Sequence, residues 1–230
     1  MLKLLMIQAD MPNALDTLAT EPNGISTKFI DMAIKGGWIM IPIIALSIIA
    51  VYIFFERFFA IKKAGKFDSS LLDQVKVYIT AGQISEAIAL CKSNSNPAAR
   101  MIEKGISRIG RPLTDVNAAI ENVGNLEISK LEKGLPTLAS VAGGAPMIGF
   151  LGTVMGMIQA FYDMSAAGNN IDVTLLSTGI YQAMVTTVAG LIVGIIAYFA
   201  YNILVANVEK VVFKMEATTS EFMDLLNEPA

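Results

Sequence analysis

Four polar side chains, Thr174, Thr178, Gln182 and Thr186, recur every four residues inside a stretch, 173–208, that holds no charge over 36 residues. A second uncharged stretch, 134–162, carries Thr153, and Thr187 adjoins the last of the four. Hydroxyls and amides can hydrogen-bond or hold a water, but Thr and Gln do not change protonation near neutral pH. A stripe at this spacing either lines a pore or glues helices together. For Thr153 and Thr187 taken alone, the competing reading is a hydroxyl that bonds back to the preceding turn. Moving protons through a bilayer requires a group whose charge changes, and neither stretch contains Asp, Glu, Lys or His. The titrating group must then come from another chain.

Other chemistries are poorly supplied. The chain of 230 residues has no histidine and one cysteine, Cys91. That removes the commonest general base, cysteine-rich metal sites and any intrachain disulfide. No nucleophile and base can be assembled, so an enzyme is not expected, and neither a cofactor nor a metal is. A net charge of −3 without a dense basic tract gives no support to nucleic-acid binding. With 54% hydrophobic and 16% charged residues and a mean hydropathy of +0.57, the chain reads as an integral membrane protein.

The elements that would position these side chains are membrane helices. Both uncharged stretches can span a bilayer, and 36 residues of helix measure about 54 Å, well beyond a hydrocarbon core of about 30 Å. The third span must therefore project from the membrane. Gly149, Gly152 and Gly156 on the second span and Gly190 and Gly194 on the third are positions for close helix packing, with GxxxG spacing at 152/156 and 190/194. Pro146 is read as kinking or loosening the second span. The first uncharged stretch, Gly36 to Phe55, has the 20 residues of one span, with Pro42 in its first two turns and Trp38 at an interfacial position. It is bulky with Phe54, Phe55, Phe58 and Phe59, which favours lipid contact, while the small-residue pair of spans makes a ring. Glu56 and Arg57 read as a charge pair at its cytoplasmic end, with a proton-exit role as the alternative.

Upstream, Leu2 to Ala9 makes a poor signal peptide, residues 10–26 read as loop, and Phe29, Ile30, Ala33 and Ile34 suit a short interfacial helix. The connection from Ala60 to Lys133 carries eleven Lys and Arg, and the loop from Asp163 to Asp172 carries none. The positive-inside rule then places the amino terminus and that loop outside and the connection and carboxyl terminus in the cytoplasm. The connection reads as helices: Leu71, Leu72, Val75, Tyr78 and Ile79 form one apolar face, and Ile84, Ala87, Ile88 and Cys91 another beyond Gly82. Asn96-Pro97 starts the next helix, Gly110 to Pro112 ends it, and Thr114 is the expected N-cap of a helix from Asp115. One long helix, kinked at Gly134 and Pro136, is expected to run on to Tyr162. The expected organisation is an N-terminal segment 1–35, a first span 36–59, a cytoplasmic helical domain 60–133, a second span 134–162, a loop 163–172, a third span 173–206 and a cytoplasmic helix 207–230.

Several stretches carry a resemblance. Lys35-Gly-Gly-Trp-Ile-Met-Ile-Pro42 followed by Glu56-Arg57, then Leu131-Glu-Lys-Gly-Leu-Pro136, Ala145-Pro-Met-Ile-Gly-Phe-Leu-Gly-Thr-Val-Met-Gly156 and Gly179-Ile-Tyr-Gln-Ala-Met-Val-Thr-Thr-Val-Ala-Gly-Leu191 resemble the ExbB, TolQ and MotA group of proton-channel proteins. In order and spacing they are most similar to the ExbB branch. The resemblance implies an all-α, three-span inner-membrane protein forming a homopentamer around the helices of an ExbD-like partner, and coupling proton flow to work on a TonB-like protein. It implies that Thr153 and Thr187 stand where the family has its channel threonines, beside an Asp supplied by the ExbD-like single-span helix. It also exposes a departure, because the family commonly has Glu where this chain has Gln182. TolQ-like and gliding-type motor subunits remain alternatives within the group. Outside it stand a self-sufficient channel and a membrane scaffold that moves no ions.

Overall fold

The computed structural model describes residues 36–66, 70–94, 96–166 and 173–227. The apolar start Leu2 to Ala9, the loop expected at 10–26, the interfacial helix expected around Phe29–Ile34 and the end of the 163–172 loop lie outside the described residues. Every regular element among the described residues is an α-helix: α1 (Met40–Ala64), α2 (Ser70–Thr80), α3 (Ile84–Ser93), α4 (Pro97–Ile106), α5 (Leu113–Glu132), α6 (Leu135–Ala166) and α7 (Val173–Asn227). Three apolar stretches are long enough to cross a membrane: Met40–Ala64, Leu113–Ala166 and Leu176–Asn227, the second running over α5 and α6.

The break between α5 and α6 has a local cause. Gly134 takes φ +85°, a left-handed conformation that costs glycine little, and it ends α5 at Glu132 before α6 begins at Leu135. The expected single kinked helix is therefore two helices. The expected N-cap at Thr114 is also corrected. Pro112 takes the cap position, its carbonyl accepts from the amides of Asp115 and Val116 at 2.9 and 3.3 Å, and α5 starts at Leu113. Asn96 does cap α4: its side chain accepts from the Ala98 amide at 3.0 Å, with Pro97 in the first turn where its missing N–H is harmless. The Asn96 amide also donates to the Lys66 carbonyl at 2.8 Å, tying this turn to the end of α1.

Two packing regions result. α6 and α7 lie antiparallel in close contact, with α1 against both. The helices α2 to α5 pack around the distal part of α7, where Val75, Ala87, Cys91, Ile102, Ile106, Ile120, Met215 and Phe222 form one buried cluster. Because α7 is a single unbroken helix of 55 residues, about 82 Å long, it belongs to both regions. The phenylalanines of α1 divide: Phe55 and Phe59 are exposed, whereas Phe54 and Phe58 pack on the core, so only one side of this helix offers its bulk outward. Much apolar surface is left uncovered by the chain itself, including Ile41, Met147, Phe150, Ile158, Ile195 and Phe199, as lipid or further chains would require.

Candidate functional site

Small residues bring α6 and α7 together. A Cβ placed on Gly190 would lie 2.5 Å from the Ala145 carbonyl oxygen and 2.9 Å from the Cα of Gly149. One on Gly149 would lie 2.8 Å from the Thr186 carbonyl oxygen, and one on Gly156 would lie 2.8 Å from the Cβ of Ala183. Gly152 faces the Thr186 hydroxyl, Gly194 receives the ring of Pro146, and Gly179 receives Ala160. All five glycines expected to pack helices thus lie in one antiparallel seam. Pro146 sits within α6, and its ring occupies the space that Gly194 leaves open. The seam partners Ala145, Gly179 and Ala183 stand within the motifs quoted above without a packing role assigned to them, and Ala160 stands outside those motifs.

This closeness lets hydroxyls reach across. The Thr153 and Thr187 hydroxyls contact each other, and Thr187 donates to the Gly149 carbonyl at 3.0 Å. Thr153 and Thr186 approach the same carbonyl at 3.4 Å each. Both Thr153 and Thr187 are half-buried, so one side of the pair stays open to whatever stands next to the seam. The pair can donate, accept or hold a water, but it cannot take up charge.

The polar stripe does not keep to one face. Thr178 is exposed and its hydroxyl donates to the Thr174 carbonyl at 2.8 Å. Thr186 is 1% exposed and donates to the Ala183 carbonyl at 2.7 Å, so its hydroxyl is spent inside the seam and it reaches only the inner edge of the cavity described next. Gln182 stands between them, half-buried, with its side-chain amide against Gly37 in the turn before α1, a position where any side chain would collide with it. The left-handed φ of +70° at Gly37 suits glycine for the same site.

At this end of the seam a cavity of about 320 Å³ is lined by Trp38, Gln159, Asp163, Thr178, Gln182 and Thr186 together with Ile39, Met155 and small residues. Gln159 donates to Asp163 at 2.8 Å, and Asp163 is the one carboxylate among the lining residues. Gln159 gave no sequence signal, since a single Gln near the end of an apolar stretch is common.

The far end of the membrane region is tied to the α2–α5 bundle. Arg57 pairs with Glu56 and donates to the Lys130 carbonyl at 3.1 Å, linking α1 to α5. Lys130 and Arg100 in turn bind Glu127, at 2.6 and 2.7 Å, and that carboxylate is nearly buried. Burial works to raise the Glu127 pKa, but the hydrogen bonds from Lys130 and Arg100 and their charges outweigh it and hold the carboxyl below its ordinary value. Glu56 and Arg57 therefore sit at the head of a network that reaches α4 and α5.

The comparisons with known proteins agree with this architecture. A family model described as the MotA/TolQ/ExbB proton channel family matches residues 93–217, more than half of the chain. A putative ExbB homolog of Methanothermobacter thermautotrophicus is 29% identical over 188 residues, covering 81% of this chain and 66% of the relative. An ExbB-like protein of Synechocystis sp. is 28% identical over 78% of this chain and 71% of the relative. The Tol-Pal system protein TolQ of Pseudomonas aeruginosa is 26% identical over 82% of this chain and 86% of the relative. From the small-residue seam, the three apolar stretches and the match over 93–217, the chain belongs to the MotA/TolQ/ExbB proton channel family.

Proposed function

We propose that this protein is the ring-forming channel subunit of a proton-driven motor in a bacterial inner membrane, working with an ExbD-like single-span partner that supplies the titrating Asp. The observation that carries this reading is the Thr153–Thr187 pair, two half-buried hydroxyls that meet in spans without an ionisable carboxylate, Lys or His. Such a pair can hydrogen-bond a carboxylate from outside the chain and let it cycle between charged and neutral forms. Five copies arranged with α6 and α7 inward would surround the partner helices, with the amino terminus periplasmic and the α2–α5 bundle cytoplasmic. Thr178 and Gln182 would then border the outer mouth of the path. The output is work on a TonB-like protein and so on outer-membrane transport, in line with the ExbB-like relatives. A TolQ-like role is the second reading, and it rests on the Pseudomonas relative, which aligns over most of both chains.

The test is co-expression with an ExbD-like single-span protein, followed by reconstitution and a proton-flux assay. The expected result is a complex of five copies with two partner chains, conducting only when the partner keeps its intramembrane Asp. Flux from this chain alone, or a stable monomer or dimer in mild detergent, would overturn the reading. Loss of TonB-dependent uptake on gene deletion separates the ExbB-type output from envelope fragility, the TolQ-type output.

A further inference from the structure

Where α1 leaves the apolar region it forms, with α7, a groove of about 340 Å³ that the channel reading does not use. Phe58 and Val211 make its apolar wall, and Lys62, Lys210 and Lys214 converge on its rim with Asn207. The three ammonium groups have no carboxylate among the lining residues: Glu209 instead faces a separate cavity with Glu132. Among the described residues none of the three lysines is in an ion pair. The Lys62 ammonium stands 5.9 Å from the Phe58 ring centroid, and the Lys214 ammonium reaches the Gly65 carbonyl only at 3.5 Å. Three uncompensated cations held around one concavity repel each other unless an anion joins them.

The position selects the kind of anion. The uncharged stretch of α1 ends at Phe55 and Lys62 follows two turns later; the contact of Lys214 with the Gly65 carbonyl sets the α7 lysines at the same level, on the part of α7 that projects beyond the hydrocarbon. That is headgroup depth, where lysine stems lie on apolar surface and their charges meet lipid phosphates. Leading from the groove toward the bilayer centre, α1 exposes Phe59, Phe55 and Tyr52, an apolar track suited to an acyl chain. A soluble anion would use the lysines and leave this track unexplained. We propose that the α1–α7 groove binds the phosphodiester headgroup of one anionic phospholipid per chain, in the leaflet facing the α2–α5 bundle. The assignment of that leaflet as cytoplasmic rests on the proposed topology; the binding itself does not.

Native mass spectrometry of the delipidated complex, titrated separately with phosphatidylglycerol, phosphatidylcholine and inorganic phosphate, tests this. The expected result is one phosphatidylglycerol per chain, little phosphatidylcholine, and no displacement by millimolar phosphate. Lys62→Gln, Lys210→Gln and Lys214→Gln together should weaken phosphatidylglycerol binding by about a hundredfold, the scale of three lysines at a charged surface. Equal charge removal by Lys63→Gln, Lys104→Gln and Lys133→Gln should change it little. Competition by free phosphate would make the groove a phosphate site, and equal losses in both triple variants would reduce it to bulk charge. Loss of the oligomer with unchanged lipid binding would assign the lysines to a contact between copies. Each of these three results overturns the proposal. Proton flux, measured separately, reports on the channel reading, so failure of one leaves the other standing.

Discussion

Thr153 of α6 and Thr187 of α7 meet through their hydroxyls, and Thr187 also donates to the Gly149 carbonyl at 3.0 Å, so a charged carboxylate from a partner would have to take over one of these two donors. Val keeps the shape of Thr and removes only the hydroxyl. Replacing both partners of a hydrogen bond by apolar groups can be nearly neutral, so Thr153→Val with Thr187→Val should change stability by roughly 1 kcal/mol or less. Each single change should still abolish proton flux and TonB-dependent uptake at normal complex yield, because a partner carboxylate facing the pair would lose its donor when charged. Normal uptake in both single variants would show that these hydroxyls only pack helices.

Gln182→Ala should act differently. Its amide lies against Gly37 and cannot titrate, so its loss frees the turn before α1 without removing a proton-handling group. Flux should fall by less than in either Thr→Val variant, while proteolysis of the segment before α1 should become faster. A complete loss of flux would place Gln182 in the conduction path itself.

The seam between α6 and α7 predicts a sharp contrast between glycines. Gly190→Ala puts a methyl 2.5 Å from the Ala145 carbonyl oxygen and 2.9 Å from a backbone Cα, and backbone cannot move aside cheaply. Overpacking of this kind costs about 1–3 kcal/mol or more, so folded yield in detergent should fall strongly. Gly143→Ala meets nothing within 4 Å in the chain and should keep its melting temperature. Equal melting temperatures for the two variants would refute the packing described here.

The residues explain why some of this was legible beforehand and some was not. Charge-free stretches mark three candidate spans because the cost of burying charge is displayed directly in sequence, and Asn96-Pro97 marks a helix start because a side-chain cap and a missing amide donor are equally local. The GxxxG pairs announce a close neighbour but not its identity, so the register of Gly149 on Gly190 emerges only in three dimensions. The stripe misleads through geometry: a repeat of four on a helix of 3.6 residues per turn rotates by about 120° between Thr174 and Thr186. One end is therefore exposed and the other buried. Gln182 against Gly37 joins positions 145 residues apart, and no local pattern encodes that. The Arg57–Lys130 link spans 73 residues, so local sequence shows Glu56 and Arg57 only as a charge pair at the end of a span and not as part of a wider network.

Glu127 should make the bundle acid-sensitive. Its carboxyl is held below the ordinary value of 4.5, so the folded state gains stability above that value and loses it as pH falls through the folded pKa. Thermal melting of the detergent-solubilised protein should be level from pH 7 to about 5 and drop below about 4.5. Glu127→Gln should lower the plateau by about 1.5–3 kcal/mol, the scale of hydrogen bonds to charged groups, and flatten the acid limb. An unchanged acid limb in the variant would assign the sensitivity to other carboxylates.

Cys91 bears on topology in a way that its burial changes. Its side chain is fully buried against the α2–α5 cluster, and burial, with Glu103 nearby, pushes its thiol up to about 11. At pH 7.5 only about one thiol in three thousand would be ionised, and that fraction is screened from reagent as well. Cys91 should therefore resist maleimide in intact cells and in opened membranes alike, and react only when the protein unfolds. Silence at Cys91 says nothing about which side it occupies. An exposed reporter is needed, and Gln83 in the turn between α2 and α3 provides one. With Gln83→Cys in a Cys91→Ala background, an impermeant maleimide should label inverted vesicles and spare intact cells, as a cytoplasmic bundle requires. Labelling of Gln83→Cys in intact cells would reverse the orientation of all three spans, and with it the direction of proton entry.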